Sequence, residues 1–380
     1  MRMRRIGFAL ALLIVASLLV SACGTKPTAP APPTSGGTTE PAPPAASGPT
    51  TSVTLGSETF PVTALKEGSQ APFNKLAFKS GNKPKIAYMP PATEFNYYIA
   101  IGEGVKARAA EVGAETFMLA PQSGNDINGQ MGMIQDVINQ KVDAIILSTH
   151  DEHAAAPLVK KAVEQGIVVV IVNSDIPNFP APVHAVVGYQ QRKGTNKIGQ
   201  YAIKLMNGKN VNVGVLEGAP GYHSTERVGG FLDAIKDVSS FKVVSSLNGN
   251  WNVEGGNSAT MDMLQAHPDV QLIFAANDYE IMGAAKAAEA LKKSGIILLG
   301  NDGDTAALEE IAAGRVTATV NTTPFVMGQV AMQVVLDSLN KKFTGGYVET
   351  PTVIVDKSNV LDFLTQPERL YPKPVKQYSK

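Results

Sequence analysis

Several apolar runs of this sequence are followed by residues that could bind a hydroxylated small molecule. These residues combine aromatic rings, amides, carboxylates and one guanidinium; they include Tyr97, Tyr98, Asn173, Asp175, Arg227, Trp251, Asn277 and Asp302. Carboxylates and amides exchange hydrogen bonds with hydroxyl groups, a guanidinium donates in a fixed fork, and a flat ring covers an apolar C–H face. Such a lining is typical of a sugar or polyol site, although polar residues also follow strands in proteins that have no such site.

The apolar runs alternate with segments of helical periodicity. Strands are predicted at 86–89, 116–119, 144–147, 167–172, 211–216, 241–244, 270–274 and 296–299, and a helix at 97–112. Continuous Val and Ile runs indicate parallel sheets that are covered on both faces. About ten strands suit two doubly wound lobes better than one sheet. In open α/β sheets a ligand lies beyond the carboxyl ends of the strands, where the polar residues stand.

The N-terminal segment 1–23 has the composition of an export signal. A basic start precedes an apolar run from 6 to 20, which is short for a membrane span of ~20 residues, and small residues precede Cys23. The tetrad Val20-Ser21-Ala22-Cys23 is similar to a bacterial lipobox, which predicts lipidation at Cys23. The alternative is an uncleaved anchor with a free thiol. Residues 24–52 are almost all Pro, Thr, Ala, Gly and Ser, which predicts a disordered tether, and 53–83 form an N-terminal extension without an assigned function.

Charge and cysteine content exclude two classes of function. Lys plus Arg equals Asp plus Glu, at 33 each, so the chain has no overall basic surface for a nucleic acid. Because Cys23 is the only cysteine, a disulfide framework and a Cys-based zinc site are impossible.

Two further motifs are better explained by structure than by chemistry. Gly102 and Gly104 fit a loose dinucleotide fingerprint, but they lie inside the predicted helix, so we predict close helix packing. His150 and His153 flank two carboxylates and could ligate a metal ion. No second ligand-rich motif occurs, so a solvated loop that caps a helix is favoured.

The sequence contains no phosphate-binding loop and no hydrolase elbow. The carboxylates Glu94 and Asp151 need no catalytic role in a binding cleft. The remaining histidines, His184, His223 and His267, are isolated and are interpreted as ordinary surface or cleft residues. We therefore predict no enzyme, no cofactor and no metal ion.

Short motifs recur in a fixed order between about residues 85 and 356. They are Tyr97-Tyr98, Ile-Val-Asn-Ser-Asp-Ile-Pro at 171–177, Arg-Val-Gly-Gly-Phe at 227–231, Ala-His-Pro-Asp-Val at 266–270, Ala-Asn-Asp at 276–278, Gly-Asn-Asp-Gly at 300–303, and Ala-Thr-Val at 318–320 followed by Pro324 and Gly328. In this order they resemble the periplasmic sugar-binding proteins of the ribose-binding type, which are the ligand-capturing subunits of ABC importers.

The resemblance implies a sugar site in a cleft between two lobes. The implied ligand-binding residues are Phe95, Tyr97, Tyr98, Asn173, Asp175, Arg227, Trp251, Asn277, Asp302 and Thr322. Tyr97 and Tyr98 would contact the sugar from the N-terminal lobe, and Trp251 would cover it from the C-terminal lobe. Arg227 would donate to hydroxyl and ring oxygens, while Asn277 and Asp302 would bind hydroxyl groups.

The sequence departs from the ribose pattern at several of these positions. Phe95 replaces an asparagine, Asn173-Ser174 replaces Asp-Arg, Thr322 replaces a hinge glutamine and Asn301 replaces an aromatic residue. Asn173 occupies the position of the family's sugar-binding aspartate, and Asp175 resembles the acid of a related subgroup. Either residue 173 or residue 175 could therefore contact the ligand. These changes affect which ligand is bound more than its class.

Three of the implied roles have structural alternatives. One of Tyr97 and Tyr98 could pack into the core. Arg227 could pair with Glu226 or Asp233 on a helix surface. Trp251 could be a buried structural residue.

The implied fold is α/β, with two doubly wound Rossmann-like lobes joined by a three-segment hinge, as in type I periplasmic binding proteins. We expect residues 84–188 with 322–350 to form the N-terminal lobe, and 189–321 with 351–365 to form the C-terminal lobe. Residues 366–380 would be a tail. The lobes would be joined near 188–190, 321–322 and 350–352.

The function that the resemblance implies is capture of a monosaccharide or polyol by a monomeric, lipid-anchored receptor outside the cytoplasmic membrane, with delivery to an ABC permease. An alternative is a receptor that docks on a sensor kinase or chemoreceptor. A sugar-responsive repressor shares the fold but would need an N-terminal helix-turn-helix. An exported enzyme would need a catalytic constellation, and none is recognised.

Overall fold

The structure is a computed structural model that describes residues 49–76 and 83–380. The predicted export signal with Cys23, the predicted tether up to residue 48, and residues 77–82 lie outside the described residues. The end of the predicted tether is part of the fold, because the Thr50 N–H donates to Thr344 Oγ1 at 2.7 Å. Residue 50, which the sequence places in the tether, thus contacts the folded chain.

Fourteen strands and ten α-helices form within the described residues. The strands are β1 (Ser52–Leu55), β2 (Glu58–Thr63), β3 (Lys85–Met89), β4 (Glu115–Met118), β5 (Ala144–Leu147), β6 (Val168–Val172), β7 (Ala185–Gly188), β8 (Val211–Glu217), β9 (Phe241–Asn248), β10 (Leu272–Ala275), β11 (Ile297–Asp302), β12 (Ala318–Asn321), β13 (Gly346–Glu349) and β14 (Val353–Asp356). The helices are α1 (Asn96–Val112), α2 (Ile127–Asn139), α3 (Glu152–Glu164), α4 (Gln191–Met206), α5 (Tyr222–Ile235), α6 (Val253–Ala266), α7 (Asp278–Ala290), α8 (Thr305–Ala313), α9 (Pro324–Leu339) and α10 (Val360–Leu364). Short 3-10 turns lie at Phe73–Lys75 and Pro367–Arg369.

The first sheet has the strand order β1-β2-β13-β7-β6-β5-β3-β4. The strands from β13 to β4 are parallel, whereas β2 pairs antiparallel with β13 and with β1. Helices α1 and α9 cover one face, and α2 and α3 cover the other. We call this sheet with its four helices the first lobe.

The hairpin β1–β2 makes residues 52–63 a part of the first lobe. Val53 and Phe60 are buried, and they pack into the same core as α1 and α9. This part of the predicted extension thus widens the sheet at its edge, where an antiparallel hairpin needs only a two-residue turn.

The second sheet has the strand order β14-β12-β11-β10-β8-β9. All of its pairs are parallel except β12–β14. Helices α4 and α5 pack on one face, and α6, α7, α8 and α10 on the other. This sheet with these helices is the second lobe, and its central strands are buried because both faces are covered.

The chain passes from one lobe to the other three times. The connections are residues 189–190 between β7 and α4, 322–323 between β12 and α9, and 350–352 between β13 and β14. The predicted α/β class, with two doubly wound lobes joined by three segments, is confirmed.

Helix α1 crosses α9 where both helices carry a glycine. A Cβ at Gly104 would collide with the carbonyl oxygen of Phe325, and one at Gly328 with that of Ile101. The prediction of close helix packing is thus confirmed for Gly104, and the glycine has no role in a dinucleotide turn. Within residues 49–76 and 83–380, no helix combines the length and the hydrophobicity that a bilayer crossing requires.

Candidate functional site

A cavity lies between the two lobes at the carboxyl ends of their strands, with about 380 Å³ of empty space when the part open to solvent is included. The residues that line it are Phe95, Tyr97, Tyr98, His150, Asn173, His223, Arg227, Trp251, Asn277, Tyr279 and Asp302. Eight of the predicted ligand-binding residues are among them.

The first lobe contributes an aromatic wall. Phe95, Tyr97 and Tyr98 stand at the start of α1, with ring centroids 6.0 Å apart for Phe95 and Tyr98 and 5.5 Å apart for the two tyrosines. Tyr97 Oη donates to Asn173 Oδ1 at 2.9 Å, and Asn173 Nδ2 donates to Tyr98 Oη at 3.3 Å. Both tyrosines line the cavity, and both also pack into the buried core of the first lobe.

The second lobe contributes a buried ion pair. Arg227 on α5 donates through Nη1 to Asp302 Oδ1 at 2.9 Å, and the two side chains are only 4% and 6% exposed. Nη1 also donates to the carbonyl oxygen of Ala276. Burial raises the pKa of Asp302, while Arg227 partly offsets that rise. Arg227 is thus held in the cavity wall with its donors directed by fixed acceptors.

The surface-pair alternative for Arg227 is wrong. Glu226 and Asp233 both pair with Arg192, at 3.7 and 2.7 Å. Arg227 has turned inward because Asp302 and Gln191 offer it acceptors within the protein.

Trp251 closes the second lobe's side of the cavity. Its ring centroid lies 5.5 Å from Arg227 Cζ, and a Cβ at Gly218 would collide with the indole. The Trp251 N–H donates to Glu280 Oε1 at 2.9 Å, and its carbonyl oxygen accepts from Asn277 Nδ2 at 3.0 Å. The loop adopts a left-handed φ of 62° at Trp251, which these two bonds hold in place.

Two predicted ligand-binding residues do not line the cavity. Asp175 accepts hydrogen bonds from the N–H and Nε2 of Gln191 and from Tyr222 Oη, at 3.0–3.2 Å. Thr322 is fully buried behind the wall, where its Oγ1 lies 2.8 Å from Tyr97 Oη and 3.0 Å from the carbonyl oxygen of Asp302. Their oxygens are engaged by the protein, so both residues support the wall instead of contacting the cavity.

Three lining residues were not predicted as ligand-binding: His150, His223 and Tyr279. The prediction of a capping loop is correct for Asp151, whose Oδ1 accepts from the Ala154 N–H at 2.8 Å, but His150 beside it faces the cleft. His150 follows β5 directly, and Tyr279 stands two positions after Asn277, so the strand-end criterion could have found both. His223 begins a helix after a glycine-rich loop, and no sequence pattern singled it out.

The two lobes contact each other across the cleft. The Asn96 N–H of the first lobe donates to Tyr279 Oη of the second at 2.8 Å, and Tyr279 Oη donates to Asp304 Oδ2 at 3.2 Å. Tyr222 of the second lobe reaches Asp175 of the first. These bonds join the two lobes on either side of the cavity.

The lining suits a neutral hydroxylated ligand. Arg227 and Asp302 supply a donor fork and an acceptor, and the rings of five Phe, Tyr and Trp residues supply flat apolar surface. In the described part of the chain, no group of three or more His, Cys, Asp or Glu side chains is placed to hold a metal ion.

Comparison with known proteins gives consistent matches. Residues 86–343 match the family described as Periplasmic binding protein domain. The D-ribose/D-allose-binding protein of Pseudomonas aeruginosa is 31% identical over 299 residues, covering 75% of this chain and 92% of that protein. The ribose import binding protein RbsB of Bacillus subtilis is 27% identical and covers 72% of this chain and 88% of its own length.

A solved structure has the same fold. It is an ABC transporter periplasmic solute-binding protein from Actinobacillus succinogenes with bound D-allose, with a TM-score of 0.70 and 27% identity over 74% of this chain and all of that one. The resemblance to ribose-type sugar-binding proteins is confirmed, and so is the prediction of a binding protein in place of an enzyme. The chain belongs to the periplasmic binding protein family.

Proposed function

We propose that this chain captures a neutral monosaccharide or related polyol between its lobes. The observation that carries the proposal is the buried Arg227–Asp302 pair, which faces an aromatic wall across a cavity of about 380 Å³. Buried charges are costly unless they are hydrogen-bonded, and a sugar's hydroxyl groups can both accept from the guanidinium and donate to the carboxylate. The aromatic rings would cover the apolar face of the same sugar.

Eight residues would contact the sugar: Phe95, Tyr97, Tyr98, Asn173, Arg227, Trp251, Asn277 and Asp302. Each lobe supplies part of this set, so the ligand would favour the closed arrangement by its greater affinity for it. Asp175 and Thr322 would support the wall from behind.

Outside the cytoplasmic membrane, the liganded form would deliver its sugar to an ABC permease in that membrane. The import role in the names of relatives and the extracytoplasmic location of the family support this step. The protein would act as a monomer held at the membrane by a lipid on Cys23. The anchor is tested by metabolic labelling with a palmitate analogue: we expect label on the natural chain and none on Cys23→Ala, and equal labelling would refute the anchor.

A ligand screen tests the proposed function. The purified protein is heated with D-ribose, D-allose, D-arabinose, other pentoses and hexoses, deoxy-sugars and myo-inositol, and hits are measured by calorimetry. A ligand at 100 times its Kd should add ~2.7 kcal/mol to the free energy of unfolding. If no sugar or polyol binds, the proposal is wrong.

A further inference from the structure

Two histidines stand where the cavity opens into the mouth of the cleft. His150 belongs to the first lobe, between β5 and α3, and His223 belongs to the first turn of α5 in the second lobe. Both line the inner cavity, and both also line the adjoining mouth, a space of about 950 Å³. Phe95 and Trp251 line both spaces as well.

The hydrogen bonds around His223 determine which of its nitrogens carries the proton. Its Nδ1 lies 2.9 Å from Gln191 Oε1, and the same oxygen accepts from Arg227 Nε at 3.0 Å. The Gln191 Nε2 donates to Asp175 Oδ1, so the amide orientation is set from both ends. Because Gln191 Oε1 can only accept, His223 Nδ1 must donate, and Nε2 carries the lone pair of the neutral ring.

The same reasoning applies to His150. Its Nδ1 lies 3.2 Å from the carbonyl oxygen of Gly124, which can only accept. The ring is held closely there, since a Cβ at Gly124 would lie 2.9 Å from both His150 Cε1 and Phe95 Cε2. His150 therefore also has the proton on Nδ1 and the lone pair on Nε2.

The cleft keeps both rings neutral. Burial lowers the pKa of His150, and burial lowers the pKa of His223 well below its usual value, with the nearby Arg227 guanidinium adding to both effects. Neither Nε2 has a hydrogen-bond partner among the described residues. Two acceptors, one from each lobe, are thus left for whatever occupies the space between them.

We propose that His150 and His223 are further ligand-binding residues, whose Nε2 atoms accept hydrogen bonds from hydroxyl groups at the mouth-facing end of the bound ligand. This rests on the proposed function and narrows its substrate class. The mouth-facing end of the ligand must carry O–H donors. A carboxylate or phosphate there would set its lone pairs against those of both rings, so the ligand should not direct an anionic group toward this end.

The test replaces each histidine by two amides with different reach. Asparagine retains a donor at the position of Nδ1 but has no atom at the position of Nε2, whereas glutamine can place an acceptor near Nε2. The probe is whichever of D-ribose, D-allose and myo-inositol binds the natural chain most tightly in calorimetry at pH 7.5 with EDTA. His153→Asn, at an exposed position three residues from His150, is the control.

We expect His150→Asn and His223→Asn to weaken binding of the probe about three- to ten-fold each, the usual value of one neutral hydrogen bond. The glutamine variants should stay within about two-fold of the natural chain, and the control should be unchanged. Asparagine variants that bind as tightly as the natural chain overturn this inference alone. If the natural chain binds none of the three probes and no member of the wider panel, both the proposed function and this inference are wrong.

Fluorinated probes give a second measurement that does not depend on how well a variant folds. Replacing one hydroxyl group by fluorine removes the donated proton. At the position that faces the histidines, fluorination should weaken binding to the natural chain about three- to ten-fold. A natural chain that loses no affinity at any position, or that binds a phosphorylated probe as tightly as the neutral one, contradicts the inference.

Discussion

The two walls of the cavity are built on opposite principles. The first lobe presents the rings of Phe95, Tyr97 and Tyr98, and the amide of Asn173 is already bonded to both tyrosine hydroxyls. The second lobe presents a buried guanidinium and a buried carboxylate, Arg227 and Asp302. One wall offers shape and apolar surface, while the other offers charge.

The difference indicates that the strongest ligand contacts, and the cost of burying charges, both lie in the second wall. Neutral aromatic residues can be buried without penalty, whereas each charge of the second wall must keep its partners or lose stability. Both walls carry positive-φ backbone, with φ values of 61° at Asn173 in the first and 141° at Asp302 in the second. We therefore expect mutations in the second wall to have the larger effects.

Asp302→Ala should produce the largest loss. Hydrogen bonds to charged groups are worth ~1.5–3 kcal/mol, and the substitution also leaves Arg227 buried without its carboxylate. Binding of the probe sugar should weaken about ten- to a hundred-fold or more in calorimetry. The unliganded variant should also melt below the natural chain, because the buried guanidinium of Arg227 loses its charged partner. Unchanged affinity in a folded variant would show that Asp302 does not bind the ligand.

Arg227→Lys should have the next largest effect and weaken binding of the probe sugar about ten-fold or more. A lysine ammonium keeps the charge but cannot reproduce the fork that reaches Ala276, Asp302 and Gln191 together. The emission of Trp251, the only tryptophan, reports on occupancy because its ring lies over the guanidinium. Unchanged affinity in this variant would mean that charge alone, and not the geometry of the fork, matters in the second wall.

Glu280→Gln should change how the free energy of unfolding depends on pH. Burial raises the pKa of Glu280 from an ordinary 4.5 to about 8, and among the described residues its Oε2 has no partner. Between these pH values the unfolded chain is ionised while the folded chain keeps the proton, so this contribution to stability falls as pH rises.

The amide should therefore match the natural chain at pH 4.5 and melt about 3 °C or more above it at pH 8.5. Glu254→Gln, at an exposed position on α6, is the control and should show no such difference. Equal melting temperatures for Glu280→Gln and the natural chain at both pH values would contradict the raised pKa.

Tyr97→Phe should have the smallest effect and weaken binding of the probe sugar by about three-fold or less. The hydroxyl bonds to Asn173 and to Thr322 inside the wall, while the ring that faces the cavity is retained. If this variant instead loses as much affinity as Asp302→Ala, the hydroxyl binds the ligand directly and the contrast between the two walls disappears.

Most of the central strands could be predicted because they are continuous runs of Val, Ile and Leu. Four short strands could not: β1, β2 and β14 have one buried position each, and β13 pairs with residues far apart in the chain. In the site, strand ends identified the right loops but not the direction of each side chain. Asp175 follows a strand as Asn173 does, yet the protein itself occupies its oxygens.

The sequence by itself determined the α/β class, the two-lobed arrangement and the loops that build the cleft, because buried strands and strand-end polarity are local patterns. Only the tertiary structure decided which of those polar groups remain available to a ligand. That choice depends on pairings between distant segments, such as Gln191 with Asp175, His223 and Arg227. A hydrogen bond between two lobes occupies a donor or acceptor, and no local pattern records the other half of the pair.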